Sequence, residues 1–292
     1  GRRFVLEAEG LQVAFRTCPA GYAHTFSALN QGAADIVSGG VMRSIIAADW
    51  GAETVPLHFA KINARDGFFV QARQPQPEFR WESFRGATVI PLGFSPTPWA
   101  SFQYALRRLG VQPEELTLLA GLSVGEAIAA FRQGRADFIH LPEPEAGQLL
   151  ADGVAYPAVA LGAENGHIAY SSFAATHRFL DTQAEVVQRF VQGFARTLQT
   201  LSGSDATAVG KVISPFFPGV TEEQLVRSVR RYQAQDTWPA DPRLEEPEYQ
   251  GLQDVLMAAG LVKERQPYAK VVRPEFAREA LGGVTDEVRC GR

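Results

Sequence analysis

Short apolar runs and amphipathic runs take turns along the chain as far as Ser172. Such switching between strand-like and helix-like spacing is the primary signal of an α/β fold. Residues 4–8 read as a helix tail closed by Gly10, and residues 11–15 (LQVAF) as a strand. Helical spacing returns over 24–30, with Gly32 as a left-handed stop, and 34–37 form a short apolar strand. Ser38-Gly39-Gly40 then turns into a helix (VMRSIIAA), 55–62 and 68–72 follow as strands, and RQPQPEFRW is a Pro-rich connector. From Ala87 the alternation restarts: strand ATVIPL, helix WASFQYALRRLG, strand LTLLA, helix VGEAIAAFRQG, strand ADFIHL, helix PEAGQLLADG, strand VAYPAVAL. From Gln183 the chain is mostly helical, broken at 215–219, 239–242 and 282–283 by Pro and Gly. Strands alternating with helices of this length imply mostly parallel sheets joined by right-handed crossovers.

One phrase occurs twice. NQGAADIV at 30–37 is echoed by RQGRADFI at 132–139, each between an amphipathic helix and an apolar strand. Both read as the same helix-to-strand corner, although Gly-x-Ala-Asp is also simply a good αβ loop. The copies lie in separate runs of alternation, one on either side of the Pro-rich connector. That placement predicts two similar lobes: a discontinuous first lobe of 1–86 and 172–292, and a second lobe of 87–171. Ligands of open parallel sheets bind beyond the carboxyl ends of the strands, which places a shared cleft between the lobes.

Composition adds limits. Of 292 residues, 46% are hydrophobic and 21% charged, so the chain can bury a full core. A net charge of -4 with dispersed Lys and Arg argues against a nucleic-acid partner. Cys18 and Cys290 alone make neither a disulfide framework nor a zinc site, and their redox state stays undecided. No apolar run reaches the roughly 18 residues of a membrane span. The five histidines show no metal-binding spacing.

The order GLQVAF, ALNQGAADIVSGG, FRGATVIPLG, SVGEAIAAFRQGRADFIHLPEPEA and FLDTQAEVVQRFVQGF resembles the solute-binding proteins of bacterial ABC importers. The subgroup it is most similar to binds alkanesulfonates, taurine and thiamine-pyrimidine precursors. The resemblance implies a type II periplasmic-binding-protein-like fold: two α/β lobes and a helical C-terminal part. It implies hinge closure on a small anionic or heteroaromatic solute, a membrane permease as partner, and no cofactor. A periplasmic or lipid-anchored monomer is expected, with any signal peptide removed. Family members begin with one more strand and a ligand-lining loop, which these 292 residues do not include. The same fold hosts an aromatic sulfinate desulfinase, which GYAHTFSAL, ARDGFFVQA and ENGHIAYSSF also resemble. Its histidine matches His24, but its arginine falls on Val37, and Cys18 does not match its nucleophile.

Candidate contacts follow from the cleft. Gly93, Phe94, Ser95, Thr97 and Trp99 join a strand to a helix, whose N–H groups suit an anion; capping by Thr97 ahead of Pro98 is the plain alternative. Ser38, Gly39 and Gly40 form a similar turn, and Tyr22 and His24 should face the same cleft. Glu143, between two prolines, could pair with a ligand amine or simply sit solvated at a helix start. Asn63 and Asn165 lie near the lobe crossings. Gly121-Leu122-Ser123-Val124-Gly125 spells a nucleophile elbow, yet Ser123 and Glu126 also spell a capping box, and a serine hydrolase would need a suitably placed acid and histidine. The capping box is the better reading.

Overall fold

A computed structural model describes residues 6–18, 21–92 and 96–282. The first lobe starts with α1 (Thr25–Asn30), β1 (Val37–Gly40), α2 (Met42–Asp49) and β2 (Leu57–Asn63). The chain then crosses over. In the second lobe follow β3 (Phe68–Ala72), a 3-10 turn (Trp81–Phe84), β4 (Thr88–Ile90), α3 (Pro96–Arg108), β5 (Thr117–Leu118), α4 (Val124–Arg132), β6 (Phe138–Pro142), α5 (Glu145–Ala151), β7 (Tyr156–Ala160) and α6 (Leu161–Asn165). It returns as β8 (Ser171–Ala175) and continues as α7 (His177–Thr182), α8 (Ala184–Gly203), α9 (Ala206–Ile213), α10 (Glu222–Ala234), α11 (Glu246–Ala258), α12 (Tyr268–Val271) and α13 (Glu275–Gly282).

Two sheets result, ordered β1-β8-β2 and β5-β4-β6-β3-β7. The expected mostly parallel pairing holds only where crossover helices feed the strands: β4 runs parallel to β5 and β6. β8 is antiparallel to both its neighbours, and β3 to both of its own. The reason is connectivity, because β3 and β8 carry the chain between lobes and enter each sheet against the direction of the rest. Residues 68–72, expected in the first lobe, therefore belong to the second sheet. Residues 11–15 are not a strand: no described strand ladders with them, and Val13 is 51% exposed.

The repeated corner is the same in both lobes. Gly32 N donates to Leu29 O at 3.0 Å and Ala33 N to Ala28 O at 2.9 Å. Gly134 N donates to Phe131 O at 2.9 Å and Arg135 N to Ala130 O at 3.0 Å. Each glycine is left-handed, at φ +74 and +75. Both corners thus close their helix with the paired reverse hydrogen bonds of a Schellman motif. The copies differ at the aspartate. Asp137 Oδ2 accepts from Thr88 N at 2.9 Å, stitching β6 to β4, whereas Asp35 is exposed.

The largest core packs the second sheet under α3 and α4, with Phe84, Phe102, Phe131, Phe138 and Ile139 at its centre. The first sheet is covered on one side by α2 and α11 and on the other by α8 and α13. A side chain at Gly32 would meet open space, so Gly32→Ala carries only the left-handed backbone cost. Urea denaturation of this variant should show a loss of about 1–2 kcal/mol with an unchanged m-value.

Candidate functional site

Three segments pass through the waist between the sheets. Ala64 N donates to Thr237 O at 3.0 Å and Ile168 N to Ala64 O at 2.8 Å, so the outgoing, returning and C-terminal passes are laced together. Asp66 sits in the outgoing pass with no exposure. Its Oδ1 accepts from Phe68 N at 2.8 Å in a local turn. The hydroxyls of Ser101 on α3 and Tyr170 on the returning pass lie against the carboxyl. Burial dominates these contacts and pushes the Asp66 pKa up to about 7. Burial, and then the charge of Asp66, hold the Tyr170 phenol well above its ordinary value.

Around this carboxyl lie other buried polar atoms without partners. They are donors as well as acceptors: Arg65 Nε, Thr97 Oγ1, Asn165 Oδ1, Gln235 Oε1 and both ring nitrogens of His140. His140 is wedged between Phe68 and Phe102, with centroids at 5.2 and 5.4 Å, and burial lowers its pKa to about 3. Asn165 spends its Nδ2 on Ser101 O and Oγ at 2.9 and 2.8 Å. Buried polar groups are nearly always satisfied, so a concentration of orphans at one waist points to a partner that binds there.

On the first lobe, His24 caps α1: Ser27 N donates to its Nδ1 at 3.2 Å, which leaves the proton on Nε2. Burial, and then Arg43, lower its pKa. Arg43, in the first turn of α2, is half-buried and has no carboxylate partner among the described residues. Beneath them His58 is fully buried, with Nδ1 2.5 Å from Ser172 Oγ and Nε2 3.0 Å from Ser44 Oγ. Ser44 Oγ donates to Pro56 O at 2.9 Å, so it accepts from His58 Nε2, and the ring is a neutral structural link.

The structure sorts the expected contacts. Gly93, Phe94 and Ser95 lie outside the described residues. α3 begins at Pro96, so Thr97 is inside the helix rather than its cap and is buried with a free hydroxyl. Trp99 packs edge-on against Phe102 at 5.6 Å. Tyr22 is half-buried; Ser38 is exposed and its carbonyl accepts from Thr25 Oγ1 at 3.1 Å. A Cβ on Gly39 would come within 2.4 Å of Phe26, so that glycine serves packing. Gly40 lies beside the Tyr170 carbonyl at the waist. Asn63 is taken up by Ser171 and by Arg65 O.

Glu143 is neither solvated nor open to a ligand amine. Its carboxylate, 1% exposed, meets Arg231 Nη1 at 2.5 Å and accepts from Ser228 Oγ at 3.1 Å and Gly147 N at 3.0 Å. Arg231 also stacks over Phe69 at 3.9 Å. Helix α10, unreadable as a partner from sequence, fills the position expected for a ligand. Ser123 is a cap: Glu126 N donates to its Oγ at 3.3 Å, and Ser123 N donates to Glu126 Oε2 at 2.9 Å. Arg43 and Asp66 were missed by sequence reasoning. Their signals are an arginine one turn past a Gly-Gly and a lone acid in the short crossing NARDG. Two surface hollows of about 210 and 450 Å³ flank α1 and α7 around Thr176 and Arg178 and include none of the expected contacts. Among the described residues no acid, His and Cys cluster could hold a metal, and no helix is long and apolar enough to cross a membrane.

The alkanesulfonate-binding protein SsuA from Xanthomonas axonopodis pv. citri, solved with MOPS, superposes with a TM-score of 0.71 at 20% identity, over 94% of this chain and 92% of that one. The fold is that of ABC-import solute-binding proteins. The zinc-bound ligand-binding component of a Staphylococcus aureus ABC-type import system matches at TM-score 0.69 and 17% identity, over 87% and 83% of the two chains. The desulfurization enzyme DSZB has the same fold, at TM-score 0.69 and 16% identity over 97% and 94%. In sequence, Bacillus subtilis (strain 168) YtlA, provisionally named a binding protein, is 25% identical over 272 residues, 93% of this chain and 81% of its own. No family model matches.

The Asp66 shift gives a pH signature. A carboxyl whose pKa is raised on folding contributes stability at low pH and loses it as pH climbs from about 4 to about 7. Asp66→Asn lacks that titration. Its stability relative to the parent chain should therefore rise across this window by up to roughly 4 kcal/mol and level off above it, read by chemical denaturation at pH 4 to 8.

Proposed function

We propose that this chain captures a small anionic or heteroaromatic solute for an ABC importer, closing its two lobes over it without chemistry. The observation that carries this reading is the gathering of unpartnered buried polar groups at the waist, together with a half-buried Arg43 beside His24 that has no carboxylate partner among the described residues. Arg43 and the His24 Nε2–H would hold the anionic group from the first lobe. The free hydroxyl of Thr97 and the start of α3 would meet it from the second. The lobe crossings lie at 64–67 and 166–170, so among the described residues one lobe comprises those before 64 with those from 171, and the other those between 68 and 165. A sulfonate fits the anion role, in line with the ligand of the Xanthomonas relative. A membrane permease would be the receiving partner, with the protein working on the outer side of that membrane as a monomer.

The second reading is an enzyme of the desulfinase kind, favoured by the similarity to DSZB and by the neutral, oriented His24. Against it, the position of that enzyme's arginine is Val37, buried with Phe26 and Leu29. A thermal-shift screen of alkanesulfonates, aryl sulfinates, pyrimidines and aromatic carboxylates separates the two. A ligand at 100 times its Kd adds about 2.7 kcal/mol, a clear rise in Tm. The expected result is a hit recovered unchanged, with affinity lowered about 10- to 100-fold in Arg43→Ala. A hit that is consumed supports the enzyme, and an Arg43→Ala variant of unchanged affinity removes the anion role.

A further inference from the structure

Asp66 is hemmed in from every pass of the waist. Ser101 of α3 and Tyr170 of the returning pass set hydroxyls against its carboxyl, and Phe68 N donates to its Oδ1. From the C-terminal pass, Gln235 Nε2 donates to its backbone carbonyl at 2.9 Å, and a Cβ at Gly162 of α6 would run into that same carbonyl. The charged and titratable groups nearby give the carboxyl no counter-charge. Arg65 turns its Nη1 to Gly162 O at 3.2 Å and lies 4.0 Å from Asp236, which also meets His167 Nε2 at 3.1 Å on the exposed side. Burial first, then the charges of Glu143, Asp66 and Glu145, hold the Tyr232 phenol of α10 above its ordinary range. His140, beside Phe68, stays neutral because burial keeps its pKa at about 3. An ionised Asp66 thus has hydroxyls for company but no cation, and burying an unpaired charge is costly. Water is the other source of solvation, and it reaches Asp66 only if the passes part.

We propose that Asp66 is a proton-operated lock on the hinge. With its carboxyl neutral, the three passes stay packed against one another. With the carboxyl ionised, the waist opens to water and the lobes gain freedom to swing. The direction follows from linkage. Burial raises the Asp66 pKa to about 7 in the packed waist, and an open waist returns it toward the ordinary value of about 4. The packed form therefore holds the proton, and opening is favoured as pH rises, about tenfold per pH unit from about 4 to about 7 and level above. Lys61 with Glu248, and Glu143 with Arg231, are buried charges that already face an opposite one, so neither pair can act in this way. The inference takes from the binding reading only that the lobes move about this waist.

Hydrogen exchange of the solute-free chain, resolved by residue and corrected for the intrinsic rate, tests this between pH 5 and 8. The amides to follow are those of Ala64 and Ile168, which bond across the passes, with β4 and β6 as the reference for the cores. The expected result is opening at the two waist amides that rises about 30- to 100-fold over this range and stays at least tenfold more frequent than opening in β4 and β6. In Asp66→Asn the dependence on pH is lost. Tyr170→Phe removes a hydroxyl that favours the ionised form, so it keeps the dependence and moves its upper end to higher pH. A flat profile at the waist, or waist amides that open only as often as those of the cores, overturns the inference and leaves the binding reading intact. A dependence that persists in a folded Asp66→Asn also overturns it and assigns the loosening to another titrating group, such as the His167–Asp236 pair. If Asp66→Asn does not fold, a Tyr170→Phe profile that fails to move upward overturns it.

Discussion

The waist where three strands of backbone pass between two sheets sets the terms for the rest of the molecule. A crossing this narrow has little room for water, so each polar group in it needs a partner from another pass. The backbone manages this: Ala64, Ile168 and Thr237 bond one another across the three segments. The side chains do not. Asp66 sits in a site that disfavours its charge, and the side-chain oxygens of Asn165 and Gln235 and Nε of Arg65 have no partner. An incompletely satisfied polar cluster at the junction of two rigid bodies is a natural place for binding to be coupled to movement.

The buried charges elsewhere show the contrast. Lys61 of β2 holds Glu248 of α11 at 2.6 Å, fastening the C-terminal helices to the first sheet. Arg231 of α10 holds Glu143 at the end of β6, fastening the same helical region to the second sheet. In each of these pairs the buried charge faces an opposite one, as burial of charge demands. Arg43, on the first lobe, has no carboxylate partner among the described residues. Asp66, at the waist, is buried without a facing cation to hold its charge.

Much of the architecture is legible in the sequence because local physics dictates it. The twin Gln-Gly-x-Ala-Asp corners require left-handed glycines after amphipathic helices, and both appear with the same hydrogen bonds. The capping box at Ser123 is likewise local. Tertiary placement is what the pattern could not carry. LQVAF has strand spacing, but a strand exists only beside a partner, and no described strand ladders with it. Residues 68–72 look like any apolar strand, and only their pairing with β6 and β7 moves them to the second sheet. Of the candidate contacts, Thr97 and Asn165 were named from their positions after a strand and near a crossing, whereas His24 was named from a strand, LQVAF, that does not form. Glu143 misled because its partner comes from 88 residues further along the chain, at Arg231. Asp66 was invisible because a lone acid in a short loop is ordinarily solvated; its burial is a property of three segments at once.

Small-angle scattering on the purified chain, before and after saturation with a solute that raises its Tm, shows whether the lobes close. Closure of the lobes over the waist predicts a smaller radius of gyration and a more compact envelope on binding, reversed when the solute is dialysed away. An unchanged envelope with the solute demonstrably bound would contradict it and place the binding site somewhere other than between the lobes.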